Sequence, residues 1–237
     1  MLEPVDTPKR GRLTTRLVRD LTSGDLHYLI NNSGVSYYSP ILDLELSHVR
    51  NIFETNFMSL IAMTQAFFPL LRAAQGTVIN NSSSAGVDAG YVPFGGAYGA
   101  SKSAAAKLSQ TLRVELAPFG VKVVTLYAGG IETGIWNSTA AYAELKSDSV
   151  CQPMKKEVEH IMSGAFMQNS PLDPFAEGVV AEITRYNPPR EIWSGKLSST
   201  VWWMNFLAPR WLIDYGFSDQ SGLSLLKGRL EEQKKNS

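Results

Sequence analysis

Residues Thr77–Lys102 read TVINNSSSAGVDAGYVPFGGAYGASK, and their reading decides the fold. Thr77–Asn81 is a short apolar run that reads as a strand, leaving through Ser82, Ser83 and Ser84 into a loop rich in Ser and Gly. From Tyr98 to Ala117 the chain is Ala-rich with apolar positions at helical period, until Pro118 and Gly120 stop it. Working outward, Val121–Leu126 is mostly β-branched and does not alternate, as expected of a parallel strand covered on both faces. On the other side, Leu26–Ile30 reads as a buried strand entering the turn Asn31-Asn32-Ser33-Gly34. Between these, Ser47 is placed to cap a long helix over about Val49–Ala74, with Ile52, Phe53, Phe57, Leu60 and Phe67 on one broad face. Thr14–Leu21 reads as a helix that enters the first strand. Strands alternating with helices predict an α/β doubly wound parallel sheet.

Ligands of such sheets sit beyond the carboxyl ends of the strands. The segments leaving those ends are Asn31–Gly34, Ser82–Gly86 and Ala128–Thr133, so three loops are expected to converge on one crevice. Tyr98 and Lys102 stand one helical turn apart and project from one face. A phenol titrates near pH 10, and a nearby ammonium favours the phenolate and lowers that value. Such a pair suits a general acid that protonates a carbonyl oxygen. Asn56 sits in an otherwise apolar helix face, where a buried amide needs hydrogen-bond partners. Gly129 and Gly130 are expected to let the backbone approach a ligand closely.

Together these residues resemble the short-chain dehydrogenase/reductase family from about Leu26 to Thr133, and less distinctly beyond. Asn31-Asn32-Ser33-Gly34 is similar to the family's N-N-A-G turn, with serine in the alanine position. Gly129–Thr133 is similar to its P-G-x-x-x-T loop, with Ala128 in place of proline. The resemblance implies a Rossmann-like fold and four catalytic residues. Asn56 would hold the water of a proton relay, Ser83 would orient the substrate, Tyr98 would be the acid/base, and Lys102 would lower the Tyr98 pKa. Ser82 and Ser84 remain alternatives to Ser83. It also implies that Asn32, Gly34, Asn56, Tyr98, Lys102, Ile131 and Thr133 contact a nicotinamide cofactor, NADP in preference to NAD. The substrate would be a small-molecule ketone or alcohol, and the chain a homo-oligomer. Gly120–Leu126, Gly130–Thr133 and the tryptophan-rich tail ending Ala208–Asp214 resemble the fungal NADPH-dependent 1-acyldihydroxyacetone-phosphate reductase-like branch, which implies a lipid-like substrate.

The family's opening T-G-x-x-x-G-x-G loop has no counterpart in the 237 residues. Only 25 residues precede Leu26, and one βαβ unit needs about 30. The sequence is therefore expected to be a single N-terminally truncated domain over 1–237, lacking the first βαβα units and leaving an apolar sheet edge. Two functions follow: an NAD(P)H-dependent ketoreductase or alcohol dehydrogenase, or a weakly active or inactive relative that acts as a binding or interaction protein.

The rest of the composition narrows the class. Lys+Arg and Asp+Glu both total 22, with no basic cluster, so no nucleic-acid partner is expected. Cys151 is the sole cysteine, which excludes an internal disulfide and suggests an intracellular setting; the resemblance to the reductase-like branch implies a place in the cytoplasm or peripheral on the endoplasmic reticulum or a lipid surface. His27, His48 and His160 lack metal-ligand spacing, so no metal is expected. No secretory signal pattern and no apolar run of about 20 residues is read in the chain. Residues 138–217 are expected to form a substrate lid followed by an apolar segment. The part over 201–217 carries Trp202, Trp203, Phe206 and Trp211, and either packs on the core, covers the substrate or meets a membrane interface.

Overall fold

A computed structural model describes residues 7–136 and 144–236, so residues 138–143 of the expected lid lie outside the described residues. In chain order the elements are α1 (Thr7–Thr22), β1 (Tyr28–Asn31), α2 (Leu46–Phe53), α3 (Ser59–Ala74), β2 (Thr77–Asn81), α4 (Gly96–Leu116) and β3 (Lys122–Ala128). There follow α5 (Lys155–Met162), α6 (Leu172–Ile183), β4 (Glu191–Ser194), α7 (Ser198–Leu207), α8 (Arg210–Gln220) and α9 (Leu223–Asn236). The strands form one sheet in the order β1-β2-β3-β4, every pair parallel. Ile30 pairs with Ile79, Val78 with Val123, and Leu126 with Ile192. All four strands thus end at one rim, where Asn31, Asn81, Ala128 and Ser194 lie.

Side-chain alternation assigns each face its cover. Leu29, Val78 and Val123 point to α3, where Phe67, Leu70 and Leu71 close over them. Ile79, Val124, Leu126 and Ile192 point the other way and meet Ile183 of α6. Withdrawing each such side chain from water contributes about 1.5–3 kcal/mol, which makes β2 and β3 the anchor of the site. The α/β doubly wound reading holds: a parallel sheet with helices packed on it.

Several local expectations are corrected. The first strand is not buried throughout: β1 is an edge of the sheet among the described residues, with Tyr28 41% and Ile30 53% exposed and only Leu29 withdrawn. Ser47 does not cap the long helix, which begins at Leu46 with Glu45 in the cap position and no side-chain bond there. That helix is also not uniform, because α2 and α3 are joined by a π-helical turn, Glu54–Met58. By length and composition the run Leu46–Ala74 could cross a bilayer, yet its apolar face lies on the sheet through Phe67, Leu70 and Leu71. Between the expected lid and the apolar segment, β4 pairs along β3 and belongs to the sheet. Within 201–217, Ile213 packs inward, while Trp203, Phe206, Trp211 and Tyr215 are exposed on α7 and α8.

Candidate active site

The π turn places Asn56 in the centre of the site. One extra residue per turn widens the helix locally, and the Asn56 side chain is buried there. Its amide donates to the Val35 carbonyl at 2.9 Å and to the Ser101 hydroxyl at 3.0 Å, while its Oδ1 accepts the Val35 N–H at 2.9 Å. Ser101 in turn donates to the Tyr98 carbonyl at 2.7 Å. Asn56 therefore ties the turn leaving β1 to the first turn of α4. Both amide hydrogens are committed, so only the second lone pair of Oδ1 is left for another donor.

Lys102 projects from α4 into this junction and is buried. Its ammonium donates to the Asn81 carbonyl at 2.8 Å and lies 5.9 Å from the centre of the Tyr98 ring. Burial pulls its pKa down to about 8, so it is mostly charged at neutral pH. Gly34 lies against this junction: a Cβ there would stand 3.4 Å from Lys102 Nζ and 3.5 Å from Asn56 Oδ1, ordinary contact distances.

Tyr98 opens onto the cavity from the start of α4. Burial raises its pKa above the ordinary tyrosine value, and interaction with the Ser83 hydroxyl opposes that rise. Lys102 is expected from sequence to lower the Tyr98 pKa; the influences that stand out on Tyr98 are burial and Ser83, and the ammonium beside its ring donates to Asn81. The three serines also part company. Ser82 donates to the Lys102 carbonyl at 2.8 Å, and Ser84 opens a 3-10 turn. Ser83 donates to the Ala128 carbonyl at 3.3 Å and lies beside the Tyr98 phenol.

Gly129 and Gly130 line the cavity and also press against the protein's own backbone. A Cβ on Gly129 would lie 2.1 Å from the Lys196 carbonyl oxygen, and one on Gly130 2.0 Å from that of Gln168. The loop after β3 is thereby wedged between two segments, bridging to Lys196 and, through Ile131, to Ser170. That wedge carries Ile131 and Thr133 to the cavity wall.

These groups share a cavity of about 780 Å³. Asn32, Gly34, Ser83, Tyr98, Lys102, Ile131 and Thr133 all line it, and Asn56 stands directly behind Gly34 and Ser101. Phe166, Met167 and Leu172, from the described part of the expected lid, form the opposite wall. Sequence reading missed Tyr38, Trp136 and Phe166, whose rings pack together beside Tyr98. The available signal was Tyr37-Tyr38 in a segment leaving a strand's carboxyl end.

The chain matches the sequence profile of the short chain dehydrogenase family over residues 9–143. It is 35% identical over 228 residues to the short-chain dehydrogenase ptmH of Penicillium ochrochloron, covering 94% of this chain and 81% of the relative. It is 34% identical over 204 residues to the NADPH-dependent 1-acyldihydroxyacetone phosphate reductase of Schizosaccharomyces pombe, covering 77% and 65% respectively. The fold is similar to a crystal structure of a short chain dehydrogenase from Burkholderia cenocepacia in complex with NADP. There the TM-score is 0.62 at 19% identity, over 90% of this chain and 76% of that one. On its sequence and its parallel sheet alike, the chain belongs to the short-chain dehydrogenase/reductase family of oxidoreductases.

Proposed function

We propose that the chain interconverts a small-molecule ketone and its alcohol with a nicotinamide cofactor, Tyr98 exchanging the proton at the substrate oxygen. The observation that carries this reading is the meeting of Ser83, Tyr98 and buried Lys102 in one cavity at the strand ends. With its pKa raised, Tyr98 holds its proton at neutral pH and can donate it to a carbonyl oxygen as that oxygen becomes an alkoxide. The Ser83 hydroxyl, on the same wall, orients the oxygen by a hydrogen bond. The phenolate left behind gains from Ser83 and from the Lys102 charge. Asn56 contributes by fixing the Val35 and Tyr98 backbones to each other, and its free lone pair can hold a water.

The cavity fits the nicotinamide–ribose end of such a cofactor. Lys102 spends one donor on Asn81 and keeps two N–H groups for ribose hydroxyls. Asn81, on the same cavity wall, has a buried Oδ1 without a partner among the described residues. Asn32, Gly34, Ile131 and Thr133 complete that end of the wall. When bound, the cofactor supplies or accepts the hydride. NADP is favoured over NAD by the likeness to the NADPH-dependent reductase of Schizosaccharomyces pombe.

The described part of 138–217 acts as a lid in this reading, supported by Phe166, Met167 and Leu172 on the cavity wall. A lipid-like substrate and peripheral membrane contact through 201–217 are supported by the exposed Trp203, Phe206, Trp211 and Tyr215. A homo-oligomer is supported by the exposed Met58 and Val114 on the long helices. The function is tested by NADPH-dependent reduction of an aryl ketone panel by wild type and Tyr98→Phe. Activity in the first and its loss in the second are expected.

A further inference from the structure

Beside the proposed acid lies a second phenol that no step above uses. Tyr38 follows the turn leaving β1 and is only 3% exposed. Its ring centre is 6.0 Å from that of Tyr98, 5.2 Å from Trp136 and 6.3 Å from Phe166. Two constraints hold it there. Ser39 N–H bonds the Phe94 carbonyl at 2.8 Å, and Gly95 lies so close that a Cβ would come within 2.5 Å of the ring. A ring so confined cannot swing away to find another partner.

Its hydroxyl has an unusual standing. Among the described residues it makes no hydrogen bond, and it is not one of the buried polar atoms left unpaired, so its oxygen reaches accessible space where a ligand atom can meet it. Tyr38 is part of the wall of the catalytic cavity. Burial, with the neighbouring Tyr98 adding to it, holds the Tyr38 pKa well above the usual tyrosine value, so the hydroxyl stays a donor at every physiological pH. A fixed, protonated and unpartnered donor on a cavity wall is built to meet an acceptor on a ligand.

We propose that Tyr38 is a substrate-binding residue whose hydroxyl donates to a second oxygen of the carbonyl substrate, beyond the oxygen that meets Ser83 and Tyr98. The substrate class is an oxygenated carbonyl compound with a flat apolar portion lying against Trp136 and Phe166. This rests on the ketone–alcohol reading above. It adds a selectivity, because a site that bonds a polar group discriminates strongly against an analogue that lacks it.

Two aryl ketones of equal tail length separate the possibilities: ethyl benzoylacetate, with ester oxygens, and hexanophenone, with none. Affinities are read without cofactor by quenching of tryptophan fluorescence, and turnover with NADPH separately. Tyr38→Phe is expected to weaken the keto ester about tenfold and hexanophenone less than about twofold. Gly95→Ala, which pushes the ring without removing the hydroxyl, is expected to erode the same preference. An equal effect of Tyr38→Phe on both ketones, no effect on either, or no binding of the keto ester to wild type overturns the proposal. Discrimination in binding with no turnover by wild type upholds Tyr38 and counts against the redox reading instead.

Discussion

Lys102 Nζ donates to the Asn81 carbonyl oxygen at 2.8 Å, joining the middle of α4 to the last residue of β2. The strand end therefore holds the ammonium in place before any ligand arrives. A buried charge held by one carbonyl is costly, which is why its pKa falls to about 8.

That cost has a sign in solution. Between about pH 8 and the ordinary lysine value of 10.5, the unfolded chain holds a proton at Lys102 that the folded chain has released. Stability from this group therefore rises with pH across that window, by up to about 1.4 kcal/mol per pH unit. Lys102→Met is expected to flatten the rise in urea midpoints measured from pH 8 to 9.5. An identical pH dependence in the variant would count against a buried, depressed lysine.

Asn56 is the keystone between the Val35 turn and α4. Asn56→Ala strands the Val35 N–H and carbonyl and frees Ser101. A loss of about 2–4 kcal/mol in unfolding free energy is expected, read from denaturant titration. A loss below about 0.5 kcal/mol would show that the clamp is dispensable.

Glycine substitutions should act with opposite signs. Gly130→Ala drives a methyl into the Gln168 backbone, so a loss of about 1–3 kcal/mol is expected. Gly216, inside α8, has nothing within 4 Å of the place a methyl would take. There Gly216→Ala should gain about 0.5–1 kcal/mol. Thermal midpoints of the two variants check this directly.

Much of the site was legible because it hangs on strand ends. Asn31–Gly34, Ser83 and Thr133 each follow an apolar run, and Tyr98 and Lys102 share a helix face by spacing alone. What escaped depends on segments distant in sequence. β4 is four residues long, follows Pro188-Pro189, and fully buries only Ile192, so its pattern is too short to separate from a loop. The π turn at Asn56 is one extra residue in a helix whose apolar face reads continuously. The need for Gly129 and Gly130 lies in the Lys196 and Gln168 backbones, and the place of Tyr38 is set by Gly95. The orientation of Lys102 was missed because spacing gives the face of a helix and leaves the side chain's partner open.

In the proposed reading, the walls of the described cavity meet a cofactor at its nicotinamide–ribose end. Reduced nicotinamide mononucleotide is therefore expected to bind the 237-residue chain within about threefold of NADPH, since an extra charge-assisted contact is needed to separate them by more than about tenfold. Isothermal titration with both ligands measures the ratio. A preference for NADPH above about thirtyfold would reveal adenosine or phosphate contacts outside this cavity.

The central claim is that Tyr98 delivers the proton. The direct measurement is the turnover number of Tyr98→Phe in NADPH-dependent ketone reduction, at saturating ligands, alongside its unfolding midpoint. A fall of about 100-fold or more is expected with the fold intact, the usual range for removal of a general acid. A folded variant that keeps the wild-type rate would contradict the account.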